Sequence, residues 1–417
     1  MGWEQFSCSL VNWDGRLIMK KVDTKSRQKS ASAIPPKKRG KSSSPRHADG
    51  SPVRVGIVGC GNVMDGAYMP VLEKLERQGW VQVVGASHTS RDRCQGILEK
   101  WSIPKYFEDY KKLCHDSDVD LVLVLTSMKE HGKIAREALR AGKHVLVEKP
   151  LAVSLEEAAE LVSLARTSPG YLVSAPFVTL TPTLQIIRDR VQAGDVGKVC
   201  LARARYGWSG PDWSSWFYRA GGGPIFDLAV YSITSLTGIL GPAKRVTAMT
   251  GTAQSTRLVN GRRIDVEVED NAQILLDFGD AAFAVVTSGF TMQKYRSPGL
   301  ELYGTEGTIQ MLGDDWAPEG YELWQNSIGA WQTYYETDPH WQWTAGLPHL
   351  VECIRKGEKP KITPEHAYHV LEIMLAAQAS GRTGRVEVIK STFALGEKKS
   401  LSSQGEAAHR IHDPRRE

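Results

Sequence analysis

Val53-Arg54-Val55-Gly56-Ile57-Val58-Gly59-Cys60-Gly61-Asn62 is the stretch on which the fold turns. A short, mostly apolar run ends in a glycine turn, as a strand buried in a parallel sheet does where it passes to a helix. Residues 64–78 then place Met69, Val71, Leu72 and Leu75 at helical spacing, and residues 81–86 supply a second apolar run, which completes one strand–helix–strand unit. In such a unit Gly59 permits the tight turn and Gly61 lets the backbone approach a pyrophosphate. The following helix start, with Asn62 and Val63 in the turn, offers free N–H groups to that anion. Met64 stands where a third Gly or Ala is usual.

The alternation continues downstream. Residues 120–126 read as a third strand, 130–140 as an Ala-rich helix, and 144–147 as a fourth strand ending in Glu148-Lys149-Pro150. A helix over 155–166 and a strand near 171–174 follow. This pattern predicts a doubly wound parallel sheet, a Rossmann domain over 52–175. Beyond residue 176 the rhythm changes to strands at 199–206, 245–254, 266–278, 282–291, 299–303 and 307–311, with helices at 182–193, 225–240, 348–356 and 364–380. An open, mainly antiparallel sheet with helices on one face is expected over 176–397, as a substrate-binding and oligomerisation domain, so the class is α/β plus α+β.

A chain of 417 residues, 41% of them hydrophobic, has core enough for two domains. It holds no apolar run near the ~20 residues that cross a bilayer, and its opening segment lacks the order of a signal peptide, so a soluble, cytoplasmic protein without a membrane partner is expected. Cys8, Cys60, Cys94, Cys114, Cys200 and Cys353 are scattered, with neither metal-ligand nor dithiol spacing. Residues 1–50 carry 11 Lys and Arg against 4 Asp and Glu, a surplus of 7 in a chain of net charge +5, which leaves the remainder at −2. No nucleic-acid footprint is therefore expected on the folded body. Residues 1–51 read as a disordered basic extension, Pro36-Lys37-Lys38-Arg39 included, and residues 398–417 as a flexible tail.

Ser87-His88-Thr89-Ser90-Arg91-Asp92-Arg93 closes the second strand. No acid stands at the strand end to bind a ribose diol, whereas Ser87, His88, Ser90, Arg91 and Arg93 suit a 2′-phosphate, so NADP is favoured over NAD. Lys149 lies at the carboxyl end of a strand, where open α/β sheets hold their ligands. A lysine there polarises a hydroxyl or carbonyl and moves its proton while hydride passes to or from a nicotinamide.

The chain here resembles the Gfo/Idh/MocA family, which includes enzymes of the glucose-fructose oxidoreductase, inositol dehydrogenase and dihydrodiol dehydrogenase types. The resemblance rests on Gly59-Cys60-Gly61-Asn62, on residues 141–150 ending in Glu148-Lys149-Pro150, on Gly221-Gly222-Gly223 followed by Asp227, and on Tyr303-Gly304-Thr305-Glu306-Gly307. It implies a catalytic Lys149, Glu148 and Pro150 beside the cofactor, Thr126 and His131 bordering the nicotinamide, and Asp227 as a substrate-site carboxylate. Tyr231 stands where the family often has histidine, four residues after Asp227 and so on the same helical face. It is either a proton relay or a packed core tyrosine.

Residues 175–179, with Phe177, replace the polar, Arg-containing segment of many members. Phe177, Trp213, Trp216 and Tyr218 are expected to line the substrate site, the last three within an aromatic cluster that includes Trp208 and Phe217 and suits a pyranose ring or, equally, an interface or the core. The expected activity is hydride transfer to or from a sugar, cyclitol or related diol by a homo-oligomer, dimer or tetramer. A glycosidase with a retained cofactor and a non-catalytic dinucleotide sensor are the alternatives.

Overall fold

The computed structural model describes His47 and residues 50–396, apart from 297, 315 and 336. The expected extension lies outside the described residues except at His47, Gly50 and Ser51, and the expected tail lies wholly outside them. His47 corrects the reading of its own segment, because it is buried with Nε2 3.7 Å from Asp120 Oδ2. That carboxylate, at the foot of the first sheet, also accepts from Arg54.

Six strands form the first sheet: β1 (Val53–Val58), β2 (Val81–Ser87), β3 (Tyr106–Phe107), β4 (Leu121–Val124), β5 (His144–Val147) and β6 (Leu172–Ser174). Their order is β3-β2-β1-β4-β5-β6, and every pair is parallel. Successive side chains point to opposite faces. Ile57, Leu121, Leu123 and Leu146 pack with helices α1 (Met69–Arg77) and α2 (Arg91–Lys100). Val58, Val122, Val124, Val145 and Val147 pack with α3 (Tyr110–His115), α4 (Met128–Arg140) and α5 (Leu155–Thr167). Burial on both faces is why these strands read as unbroken apolar runs.

The second sheet has nine strands: β7 (Val199–Gly207), β8 (Arg245–Gly251), β11 (Asn271–Gly279), β12 (Ala282–Gly289), β13 (Leu300–Gly304), β14 (Gly307–Asp314), β15 (Ala317–Gln325), β16 (Ala330–Tyr334) and β17 (Glu387–Val388). A separate hairpin, β9 (Thr256–Val259) with β10 (Arg262–Asp265), accounts for the two missing numbers. The large sheet is antiparallel except where β12 pairs with β7. Its inner face is lined by Ala202, Ala204, Ala248, Ala272 and Ala284, small residues that let helices α6 (Pro182–Ala193), α7 (Val230–Leu240) and α9 (Pro364–Thr383) approach closely. α6 and α9 share one start signal, a threonine cap followed by proline. Thr181 and Thr363 accept from the backbone N–H three residues on, and Pro fills the position whose N–H would lack a partner.

Helix α8 (Gly346–Lys356) follows β16 in sequence, between strands of the second sheet, yet it buries Leu347, Leu350 and Val351 among the residues of β1 and α1. The first sheet thus has one of its faces completed by a helix drawn from within the second half of the chain.

Candidate active site

The glycine turn is shaped by close backbone approach. Gly59 has φ +104°, and a Cβ there would lie 2.6 Å from the carbonyl carbon and oxygen of Leu125, so only glycine fits where β1 passes β4. At Gly61 an added Cβ would meet nothing within 4 Å, which leaves the outer side of the turn open. Gly61, Asn62 and Val63 are exposed there as the helix begins. An open turn backed by a helix N-terminus fits the pyrophosphate of a dinucleotide.

At the end of β2, Ser87 is buried and His88 Nδ1 lies 3.0 Å from the Ser90 backbone N–H. Ser90 holds the cap position of α2, while Arg91 and Arg93 are exposed on its first turn. The Arg91 guanidinium rests over the Tyr106 ring at 5.4 Å from its centroid.

The strand ends of β4 and β5 are tied together by His131. Its Nε2 lies 3.0 Å from the Thr126 carbonyl and its Nδ1 2.7 Å from the Pro150 carbonyl. Burial lowers the imidazole pKa, so near neutral pH the ring is uncharged and donates to one of the two carbonyls. Next to it, Glu148 accepts from the Tyr68 hydroxyl at 2.6 Å and from the Lys149 backbone N–H at 3.1 Å. Tyr68 is fully buried in the π-helical turn of residues 64–68, and the Trp343 ring stands edge-on to it. The phenol pKa is raised by burial and by the Glu148 charge, which keeps Tyr68 a hydrogen-bond donor.

Lys149 Nζ donates to Asp227 Oδ1 at 2.7 Å and to the Asp227 carbonyl at 3.0 Å. Both side chains are largely shielded, at 15% and 16% exposure, so Coulomb attraction is screened less than at the surface. Asp227 lies in the π-helical turn Ile225–Ala229 that leads into α7, where Tyr231 follows one turn later. The ammonium stands over the Tyr231 ring, 5.6 Å from its centroid. Burial, then the charges of Glu148 and Asp227, push the Tyr231 phenol well above its ordinary pKa, so the group stays protonated, a hydrogen-bond donor, throughout the neutral range. Tyr206, at the end of β7, packs edge-on against Tyr231 with centroids 5.6 Å apart.

Lys149, Asp227 and Tyr231 open onto a cavity of about 1480 Å³, larger than the ~1000 Å³ upper range for single-ligand pockets. Thr126, His131 and Glu148 line it from the first sheet. Trp208, Trp213, Trp216 and Phe217 line it from the loop after β7, and Tyr295, Asp314 and Trp316 from the turns beyond.

Two expected substrate residues are elsewhere. Phe177 is 1% exposed and packs flat against Gly346 of α8, where an added Cβ would meet the ring at 2.3 Å. Tyr218 is equally buried, stacks edge-on with Phe290 and donates to the Pro211 carbonyl at 2.8 Å. Both rings serve the core, because apolar neighbours from distant segments close over them. Pro150 is also buried and lines a smaller adjoining pocket beside its cis bond to Lys149. Tyr68, Tyr206 and Trp316 were not expected at the site, and the only sequence signal for any of them was the position of Tyr206 at a strand end.

Among the described residues no helix is long and apolar enough to cross a membrane. The family profile described as "Oxidoreductase family, NAD-binding Rossmann fold" matches residues 53–174, and that described as "GFO/IDH/MocA C-terminal domain" matches residues 184–310. Trans-1,2-dihydrobenzene-1,2-diol dehydrogenase of Macaca fascicularis is 27% identical over 317 residues, 74% of this chain and 90% of that relative. The 1,5-anhydro-D-fructose reductase of Ensifer adhaerens is 29% identical over 319 residues, 74% of this chain and 92% of the reductase. A levoglucosan dehydrogenase solved with NADH and levoglucosan has the same fold, with a TM-score of 0.71 at 18% identity over 81% of this chain and 100% of that one. The chain belongs to the Gfo/Idh/MocA family of oxidoreductases, with an NAD-binding Rossmann fold in its first half and the family's own C-terminal domain in its second.

Proposed function

We propose that this protein is an NADP(H)-linked dehydrogenase or reductase that acts on a secondary alcohol or carbonyl of a sugar, cyclitol or related diol. The observation that carries the reading is the Lys149–Asp227 pair at 2.7 Å, its ammonium over the Tyr231 ring, in the lining of a large cavity that Val63 after the glycine turn also lines. Gly59, Gly61, Asn62 and Val63 would hold the pyrophosphate, and Ser87, His88, Ser90, Arg91 and Arg93 the 2′-phosphate. Thr126, His131, Glu148 and Lys149 would border the nicotinamide, with Pro150 behind them. When bound, the cofactor supplies the hydride acceptor or donor.

The proton is the work of the chain's own residues. Asp227 fixes Lys149. In reduction the lysine's ammonium lowers the cost of negative charge on the substrate oxygen and gives that oxygen a proton from Nζ; in oxidation the neutral amine takes the hydroxyl proton at Nζ as hydride leaves the carbon. Tyr231, held protonated, donates a hydrogen bond to that oxygen in the carbonyl form. The names of the diol dehydrogenase and the anhydrofructose reductase support oxygenated rings as the substrate class.

A boundary at residue 175 between cofactor and substrate domains agrees with the two sheets. A homo-oligomer formed through the face of the second sheet opposite α6, α7 and α9 is supported by the exposed Leu201, Leu275, Phe283 and Val285 on adjoining strands β7, β11 and β12.

A panel of sugars, cyclitols and diols, read by nicotinamide absorbance with both cofactors, tests the proposal. Turnover with net NADPH formation or consumption, faster with NADP(H) than with NAD(H), is expected. Hydrolysis of a glycoside without net cofactor change would move the assignment to the glycosidase alternative.

A further inference from the structure

We propose that the substrate carries two rings: one reacts at Lys149 and the other stacks outside it on a wall formed by Trp213 and Trp216. The inference rests on the functional reading above, which sets the reacting end, and adds a subsite to it.

The wall continues from that end. Tyr206, edge-on to Tyr231, is followed two residues later by Trp208, whose ring stacks on Trp213 with centroids 5.4 Å apart. Phe217 stands between the two outer indoles, edge-on to Trp213 at 6.0 Å and stacked on Trp216 at 3.9 Å. Phe217 is backed in turn by Phe290. Yet Trp213 and Trp216 keep 51% and 44% exposure on a cavity wall, where large apolar faces stand in water.

The loop that carries them is braced from behind. Asn260, in the turn of the β9–β10 hairpin, donates its backbone N–H to the Asp212 carbonyl at 2.7 Å and its side-chain amide to the Trp213 carbonyl at 2.9 Å. Arg257 donates to the Ser209 carbonyl at 2.6 Å. The hairpin lies outside the main sheet and ties down the segment that presents the tryptophans. Indoles held open in this way receive a flat ring at little ordering cost.

Charge selects the kind of ring. Arg219, on the same loop, is paired with Glu267, so the cation that the indole loop itself carries is already compensated. A neutral ring with an apolar face is favoured, either an arene or the C–H face of a pyranose. The substrate is thus a glycoside or aryl conjugate of the reacting ring, and one cavity of about 1480 Å³, which the nicotinamide would share, runs from Lys149 to the indoles.

The full-length protein is assayed with NADP⁺ on the methyl glycoside, the phenyl glycoside and a disaccharide of one reacting sugar. A two-ring substrate is expected to exceed the methyl glycoside in kcat/KM by about tenfold or more, and the phenyl and disaccharide arms show which outer ring is preferred. Trp213→Ala and Trp216→Ala should bring that ratio close to one, whereas Trp216→Phe, which keeps an aromatic face, should retain most of it. Equal kcat/KM values in the wild type, or a preference that survives both alanine variants, overturn the proposal. If none of the three is turned over, the functional reading fails first, and calorimetry then judges the subsite separately. Tryptophan-dependent, tighter binding of a two-ring glycoside supports it; equal or absent binding overturns it.

Discussion

The two ends of the proposed cofactor path are built on opposite principles. At the ends of β4 and β5, Lys149 is held by Asp227 at 2.7 Å, Glu148 by Tyr68 at 2.6 Å, and His131 lies between two backbone carbonyls. At the end of β2, Arg91 and Arg93 stand exposed on the first turn of a helix, with a tyrosine ring under one of them. The first arrangement fixes atoms before any ligand arrives, as chemistry requires. The second offers charge that a ligand can order, as recognition of a phosphate requires. Substitutions at the first end should therefore act on kcat by large factors, and those at the second on one binding constant by small ones.

The largest effect is expected from Lys149→Ala, with kcat reduced roughly 10²–10⁴-fold while NADP(H) affinity changes little. A parallel loss of cofactor affinity would remove the contrast between the two ends. Asp227→Asn keeps the size of the side chain but takes away the charge that holds the ammonium, and kcat should fall about 10²-fold. Steady-state assays at saturating substrate measure it, and a change confined to KM would make Asp227 a binding group only.

Tyr231→Phe should lower kcat by about tenfold, because one hydrogen-bond donor is lost and the packed ring remains. Its pH profile sharpens the point. The phenol is raised well above its ordinary value, so it stays protonated up to and beyond that value and contributes no limb below it. The variant should therefore keep the wild-type limbs at reduced height. A limb that disappears near neutrality would show that Tyr231 titrates in the working enzyme.

The smallest effect belongs to the other end. Arg91→Ala combined with Arg93→Ala should weaken NADP(H) about tenfold and leave NAD(H) unchanged, as expected for exposed contacts to one phosphate. Titration of both cofactors decides it, and equal weakening of the two would mean that the turn does not read the 2′-phosphate.

The same contrast explains what the sequence made legible. β1, β4 and β5 were readable because burial on both faces leaves unbroken apolar runs, and α6 and α9 because Thr181-Pro182 and Thr363-Pro364 mark their starts. β15 was not, since Pro318, Glu319 and Gly320 interrupt the strand pattern near the edge of the sheet, where such residues are tolerated. The β9–β10 hairpin was missed too, for its exposed arginines give no apolar alternation.

At the site, Lys149, Asp227 and Tyr231 could be named because motifs and a spacing of four flag them. Phe177 and Tyr218 carry the same residue chemistry as the exposed tryptophans, and only distant contacts, with Gly346 and with Phe290, determine that they are buried. Tyr68 left no local sign, as its partner Glu148 is 80 residues away.

If the Lys149–Asp227 end performs the chemical step, removal of the lysine must slow that step itself. A single-turnover experiment tests it most directly: wild type and Lys149→Ala are each preloaded with NADP(H), mixed with an excess of a substrate found in the panel, and followed by nicotinamide absorbance. The Lys149→Ala transient is expected to be slowed by the same factor as its kcat, with unchanged amplitude. A transient at the wild-type rate in the variant would contradict it and place the acid–base work elsewhere.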